Sequence, residues 1–194
     1  MTPDELVKSY GNVIRDMQST PRGDIMMKTG VSALVAIKKR VINTGVDAKG
    51  NKYKPYSTKP MLANCSSMTE SACSKIASSK EKRKELQWVT LKGHKLFEID
   101  GGYKEYRELH GRQTDHVDFS FTNSMWSDVN VISNSGDHNK GVVIIGAKEE
   151  KHKKKLEGNT KRRGDILDLS KTEIDELMRL YNIGTLQIFK NNGL

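Results

Sequence analysis

Five histidines are the residues from which this chain would have to build acid–base or metal chemistry: His94, His110, His116, His138 and His152. Zinc is commonly held by a His-x-x-x-His pair on one helix face, or by cysteines a few residues from a histidine. Neither pattern occurs, so surface histidines are expected. Carboxylates come next. Asp100, Asp115, Asp118 and Asp128 fall near the ends of predicted strands, where a metal-dependent enzyme acting on nucleic acid would gather them. No motif groups them, and helix caps and turns are their expected uses, with loss of an activity on mutating Asp115 or Asp118 as the sign of the other reading. Cys65 and Cys73 lie in a Ser-rich stretch. Free thiols in a reducing cytosol are expected there, with a bridge between the two as the alternative. The 16 glycines contain no GxxxxGKS or GxxxxGKT string, which leaves no phosphate cradle. No serine stands beside an oriented base. No catalytic residue, cofactor or metal is therefore assigned, and the chain is expected not to be an enzyme.

The strongest electrostatic signal is KEEKHKKKLEGNTKRR, residues 148–163. Such a run can contact DNA phosphates, meet an acidic surface of a partner protein, or form a solvated helix face broken up by Glu149, Glu150 and Glu157. Lys151, Lys153, Lys154, Lys155, Arg162 and Arg163 are the residues expected at an interface or facing a channel. The whole chain carries a formal charge of +9 over 194 residues, spread widely apart from this run. Only 35% of residues are hydrophobic and 29% are charged. That balance suits one modest core with segments that order against neighbouring subunits. No apolar run approaches the roughly 20 residues that span a bilayer, and no signal peptide is visible, so a soluble protein of the cytoplasm is expected.

The elements that must position these residues read as follows. Thr2-Pro3-Asp4-Glu5 starts a helix with Leu6, Tyr10, Val13 and Met17 on one face. A second, longer helix runs over 24–43, with Met27, Val31, Leu34, Ile37 and Val41 inward and Lys28, Lys38, Lys39 and Arg40 mostly on the other face, and Gly45 as its stop. Residues 47–51 form a turn and 53–56 an edge strand demoted by Pro55. Residues 63–79 read as a loop, and 80–85 as a charged flank. Residues 87–97 read as β around Gly93, and 103–110 as a short helix. Val117, Phe119 and Phe121 alternate with Asp118 and Ser120 as a strand with one buried face. Thr122-Asn123 caps a turn holding Met125 and Trp126. Val129 to Ser133 and Gly141 to Ala147 are strands, the second expected to be central in a sheet. A basic helix or arm at 147–156, a loop at 158–164 and a capping box at Ser170–Glu173 follow. The last helix is expected to stop at Gly184, leaving 185–190 as an apolar tail that adds a strand to a neighbour. The expected core is Met27, Val31, Leu34, Val41, Phe119, Phe121, Trp126, Val131 and Ile144.

Two stretches, GVDAKGNKYKPYSTKPML at 45–62 and GGYKEYRELHGRQTDHVDFSFTNSM at 101–125, carry a resemblance. With the order long helix, turn, insert, GGYKEYRELHGR, VDFSFTNSMWSDVNV, GVVIIGA, charged arm and ILDLSKTEIDEL, the chain resembles the virion morphogenesis proteins of tailed phages. These are the tail-completion, tail-terminator or head–tail joining family. The matching positions are Asp47 and Gly50, Tyr56 and Ser57, Thr122 to Met125, Val129 to Ile132, and Gly141 to Gly146. Asn123 stands where the family has glycine. YSTKPM and GGYKEYRELHGRQTDHV are similar to versions in phages of gut Bacteroidetes, including crAss-like phages. The resemblance implies an α+β fold, an antiparallel sheet packed by a long N-terminal helix, with extended loop and terminal arms. It reads as one domain over 1–194, in segments 1–44, 45–62, 63–85, 86–147 and 148–194. It implies a structural role in the virion, assembled in the host cytoplasm: a homo-oligomeric ring at the neck or tail end. Its partners would be the portal and adjacent connector and tail proteins, with non-specific proximity to genomic DNA, no membrane and no cofactor. The alternative is a small basic nucleic-acid-binding protein.

Overall fold

Helix α1, Pro3–Ser19, begins where Thr2 caps it. Thr2 Oγ1 accepts the N–H of Glu5 at 3.3 Å, and the Glu5 carboxylate accepts the N–H of Thr2 at 2.7 Å, a reciprocal capping box. Helix α2, Gly23–Thr44, ends at Gly45, whose φ of +63° turns its N–H back to the Val41 carbonyl at 3.1 Å. The computed structural model describes residues 2–19, 23–63, 88–91, 94–136 and 141–192. Cys65, Cys73, His138, Gly93, the charged flank at 80–85 and nearly all of the insert at 63–79 lie outside them. The chain is α+β, with two compact units: Tyr53–Val117, and Met1–Lys52 together with Asp118–Leu194. No described helix is long and apolar enough to cross a membrane.

In the larger unit α2 lies across an antiparallel ribbon of β4, Val129–Gly136, and β5, Gly141–Ala147. Val129 pairs with Ala147 and Val131 with Ile145, then the register shifts so that Ser133 faces Ile144, leaving Ile132 as a bulge. Val129 and Ala147 are buried, as are Ala33, Leu34, Ile37 and Val41 of α2. The approach is close: a Cβ on Gly30 would enter the Val143 side chain, and one on Gly141 would enter Met26. β5 is not central, as its apolar run had suggested; β4 is its one described partner. Its side chains alternate, and Val142 and Ile144 point away from α2 into solvent. Leu34, Val41 and Trp126 are buried as expected, Phe119, Phe121 and Val131 are partly covered, and Met27, Val31 and Ile144 are exposed instead of buried. On α2 the reason is geometric. The apolar arc is wider than the contact, and the row Met27–Val31–Val35 falls on its uncovered margin.

A short helix α4, Ser124–Asp128, leads into β4, with Met125 and Trp126 buried. The expected strand at 117–121 is absent. Asp118 Oδ1 accepts the N–H of Ser120 at 2.8 Å, and Phe119 takes φ +53°, so a side chain has captured the backbone donor that a ladder would have used. Helix α5, Glu150–Arg163, continues through Gly158, where a loop was expected, and stops at Gly164, φ +96°. One glycine costs about 1 kcal/mol in a helix. That does not end a 14-residue segment with Glu150 in its first turn and Lys161, Arg162 and Arg163 in its last, where each charge complements the dipole. Helix α6, Lys171–Asn191, opens on the expected capping box of Ser170 and Glu173. It then runs through Gly184, so the tail at 185–190 is helix and not a strand. A Cβ at Gly184 would stand 3.1 Å from Ile25 Cγ2. This glycine lets α6 close on α2, and a tertiary contact overrides the local stop signal.

In the smaller unit β1, Met61–Ala63, β2, Trp88–Leu91, and β3, His94–Ile99, form an antiparallel sheet in the order β1-β3-β2. Helix α3, Gly102–Leu109, packs Tyr106 and Leu109 against Ile99 and Ala63. The edge strand lies at 61–63, not at 53–56, where Pro55 offers no donor. Tyr56 is buried by other means: the Arg107 guanidinium lies 4.4 Å over its ring, and Tyr103 meets it edge-on at 5.6 Å. Gly102, φ +63°, presses so near the Lys59 carbonyl that a Cβ would collide with it.

Candidate functional site

The basic segment folds as α5, and its helical spacing sorts the charges. Positions 151, 154, 155, 158 and 162 share one face, with Lys161 on its margin. Lys151, Lys154, Lys155 and Arg162 are exposed, and Gly158 leaves a gap in the row with nothing within 4 Å of a Cβ. Lys154, Lys155 and Arg162 make no ion pair with a described residue. Lys153 lies off this stripe, 3.9 Å from Glu150. Arg163 is turned inward and half-buried, its guanidinium 5.9 Å from the Phe119 ring centroid. The six cations expected at one surface thus divide: four on a single outward stripe, one exposed but off it, and one against the protein.

The opposite face of α5 is anchored by His152, 3% exposed and so not the surface histidine expected. Asp128 Oδ2, at the end of α4, accepts the backbone N–H groups of Lys148 and Glu149, each at 2.9 Å, and so serves the start of α5. His152 Nδ1 lies 3.1 Å from the same oxygen and 4.0 Å from Glu149 Oε2. Neither ring nitrogen has a well-aligned hydrogen bond to a described residue. The Asp128 carboxyl is held below its ordinary pKa, chiefly by the N–H of Glu149, against an opposing push from partial burial; His152 and the N–H of Lys148 add to the depression. Glu149 also receives the Lys151 ammonium at 2.6 Å. No sequence motif linked these residues, because Asp128 sits 20 and 21 positions before the two N–H groups it holds. The one local signal was the i, i+3 spacing of Glu149 and His152. Asp100, Asp115 and Asp118 do not join the cluster.

Of the five groups of positions that carried the resemblance, Val129 to Ile132 lie in β4 and Gly141 to Gly146 in β5, and the other three fall in turns and short elements. Asp47 and Gly50 make the turn after α2: Asp47 Oδ1 accepts the N–H groups of Lys49 and Asn51 at 2.9 and 2.8 Å, and Gly50 supplies φ +84°. Tyr56 and Ser57 dock on α3, with the N–H of Lys104 donated to the Ser57 carbonyl at 3.0 Å. Thr122 is exposed, Met125 is buried, and Asn123 between them adopts φ +62°, a left-handed conformation that asparagine and glycine share.

The Asp47 turn makes a pH prediction. Burial pushes its carboxyl up, but the hydrogen bonds from Asn51 and Lys49 together outweigh it and leave the pKa lowered. A depressed carboxylate contributes stability that is full above its unfolded value and is lost as pH falls through the lower, folded value. Stability measured by urea unfolding is expected to fall more steeply below about pH 4 in the native chain than in Asp47→Asn. Equal acid limbs would remove Asp47 from the account.

An apolar groove of about 320 Å³ runs between α2 and α6, lined by Met26, Leu169, Leu177, Met178 and Tyr181 among others. It gathers no converging charged groups. No protein family matches the chain, and neither a curated protein nor a solved structure does.

Proposed function

We propose that this chain is a non-enzymatic structural subunit of a tailed-phage virion. It assembles into a homo-oligomeric ring at the head-to-tail connector or the tail end, joining portal and tail proteins around the DNA channel. The observation that carries this reading is apolar surface left uncovered on several elements. On α1 the residues Leu6, Val7, Tyr10 and Ile14 share one face by spacing and are exposed, Val7 by 72%, while Val13 on its margin is buried. The outer face of the ribbon exposes Ile132, Val142 and Ile144, and no other described strand pairs with either of its edges. A two-stranded ribbon is marginal alone, and open edges are templates for pairing. Such faces suit a subunit completed by its neighbours, and head-to-tail contacts close into rings when the rotation permits. The motif positions Asp47, Gly50, Tyr56, Ser57, Thr122 and Met125 support the same family role.

Light scattering and negative-stain micrographs of the purified chain are expected to show closed rings. The double variant Val7→Asp/Ile14→Asp, at exposed positions, is expected to stay monomeric with unchanged helix content by circular dichroism. A native chain that remains monomeric at concentrations on the order of 100 μM overturns the reading.

The cationic stripe of α5 favours a second reading, a nucleic-acid-binding protein. In the ring, the stripe faces passing DNA or an acidic neighbour, and binding of free duplex should collapse with salt. A monomer that holds duplex DNA at ~0.15 M salt, and loses it in Lys154→Glu/Lys155→Glu/Arg162→Glu, would favour the second reading.

A further inference from the structure

We propose that Asp128, Glu149 and His152 form a binding site for one divalent transition-metal ion, best fitted by zinc, at the start of α5. One ligand atom from each residue lies within 4.8 Å of the other two. His152 Nδ1 stands 3.1 Å from Asp128 Oδ2 and 4.0 Å from Glu149 Oε2. Ligands bound at about 2.0–2.2 Å to one tetrahedral ion stand roughly 3.4 Å from each other. The imidazole and Asp128, at 3.1 Å, need move apart by only a few tenths of an ångström to reach that separation, and Glu149 closes in by a small movement of a half-exposed side chain.

The second observation is the state of the histidine. It is buried, aimed between two carboxylates, and without a well-aligned hydrogen bond at either nitrogen among the described residues. A buried polar group in that state asks for a partner. Two backbone N–H groups hold Asp128 Oδ2, so the first carboxylate is fixed before any ion arrives. Lys151 closes the mouth: its ammonium rests on Glu149 Oε2, and its side chain is two-thirds exposed and free to swing away. A cation already occupies the outer carboxylate, and a metal ion would take its place with the imidazole added as a ligand. One imidazole and two carboxylates select zinc and its neighbours over magnesium, which prefers an all-oxygen octahedron. Three protein ligands leave a fourth position open to water or to a group from a neighbouring molecule.

The full chain, stripped with chelator and dialysed, would be titrated with zinc chloride and separately with magnesium chloride by calorimetry. Zinc is expected to bind one-to-one, and cobalt(II) at the same site to give a tetrahedral visible spectrum. Glu149→Gln and His152→Gln are each expected to weaken zinc at least about tenfold. Glu149 is half-exposed, so its variant keeps the test valid if the histidine variant does not fold. Lys151→Gln, by removing the competing cation, is expected to tighten binding. The proposal fails if zinc gives no heat at concentrations on the order of 100 μM. It also fails if Glu149→Gln binds as tightly as the native chain, or if Lys151→Gln binds no tighter. Zinc affinity that survives both ligand variants but vanishes in Cys65→Ser/Cys73→Ser puts the ion on the cysteines and overturns it as well.

Discussion

An Arg40→Met variant is expected to lose about 3–5 kcal/mol of stability, a large part of what holds an ordinary domain folded. Arg40 Nε lies 2.9 Å from Glu173 Oε1, and the two side chains are only 11% and 12% exposed. Its Nη1 donates to the Val46 carbonyl at 2.9 Å and its Nη2 to the Asp168 carbonyl at 2.5 Å. One guanidinium thus ties α2 to the turn after it, to the segment before α6 and to α6 itself. Methionine fills much of the volume but leaves a nearly buried carboxylate without its cation and two carbonyls without their donors. Glu173 is also the capping-box residue, its Oε2 accepting the N–H of Ser170 at 2.7 Å, so the helix start loosens with the ion pair. Arg40→Lys keeps the charge but not the fork, and is expected to lose about 1–3 kcal/mol. Arg40→Met/Glu173→Gln removes both charges while keeping an acceptor for the cap, and should recover part of the loss. Urea midpoints at constant slope test the order: native, then Arg40→Lys and the double variant, then Arg40→Met. An Arg40→Met chain within 1 kcal/mol of native would sink the assignment.

The sequence showed Arg40 only as one cation in a row assigned to the solvent face of α2. Nothing local distinguishes it from Lys39, which is exposed. What does distinguish it is Glu173, 133 positions away, and such pairings leave no trace in a single sequence. Local signals were legible for the same reason that these were not. The Thr2 cap, the Gly45 stop, the Asp47 turn and the Ser170 capping box each complete themselves within a few residues, so physics and pattern coincide. Gly184 failed as a stop because a distant isoleucine needed its missing side chain. Val117 to Phe121 failed as a strand because Asp118 bonds forward to Ser120. The candidate site was half legible. Four of the six expected cations share the outward stripe of α5, but the buried His152 beneath them and its two carboxylates were invisible until α4 and α5 were brought together.

Replacing Trp126 by alanine is expected to cost about 3–5 kcal/mol, the range for emptying a large aromatic site. Trp126 is 2% exposed and among the largest fully buried side chains of the described residues. Its loss empties a buried site at the junction where α4 passes into β4, a stretch in which Met125 and Val129 are also buried. Its indole N–H also donates to the Asp118 carbonyl at 2.8 Å, within buried surroundings. That bond pins the turn whose next residue, Phe119, holds φ +53°, a conformation costly for a bulky side chain and sustained only by its neighbours. Trp126→Phe separates the two contributions: it keeps most of the packing but takes the indole donor from the Asp118 carbonyl, and should cost about 1–3 kcal/mol. Because Asp128 closes α4 and holds the two residues that lead into α5, the alanine variant should also speed hydrogen exchange at the N–H groups of Lys148 and Glu149. Exchange there that stays native while global stability falls would mean α4 does not hold the start of the basic helix. Equal costs for alanine and phenylalanine would mean the hydrogen bond, and not the packing, fixes this junction.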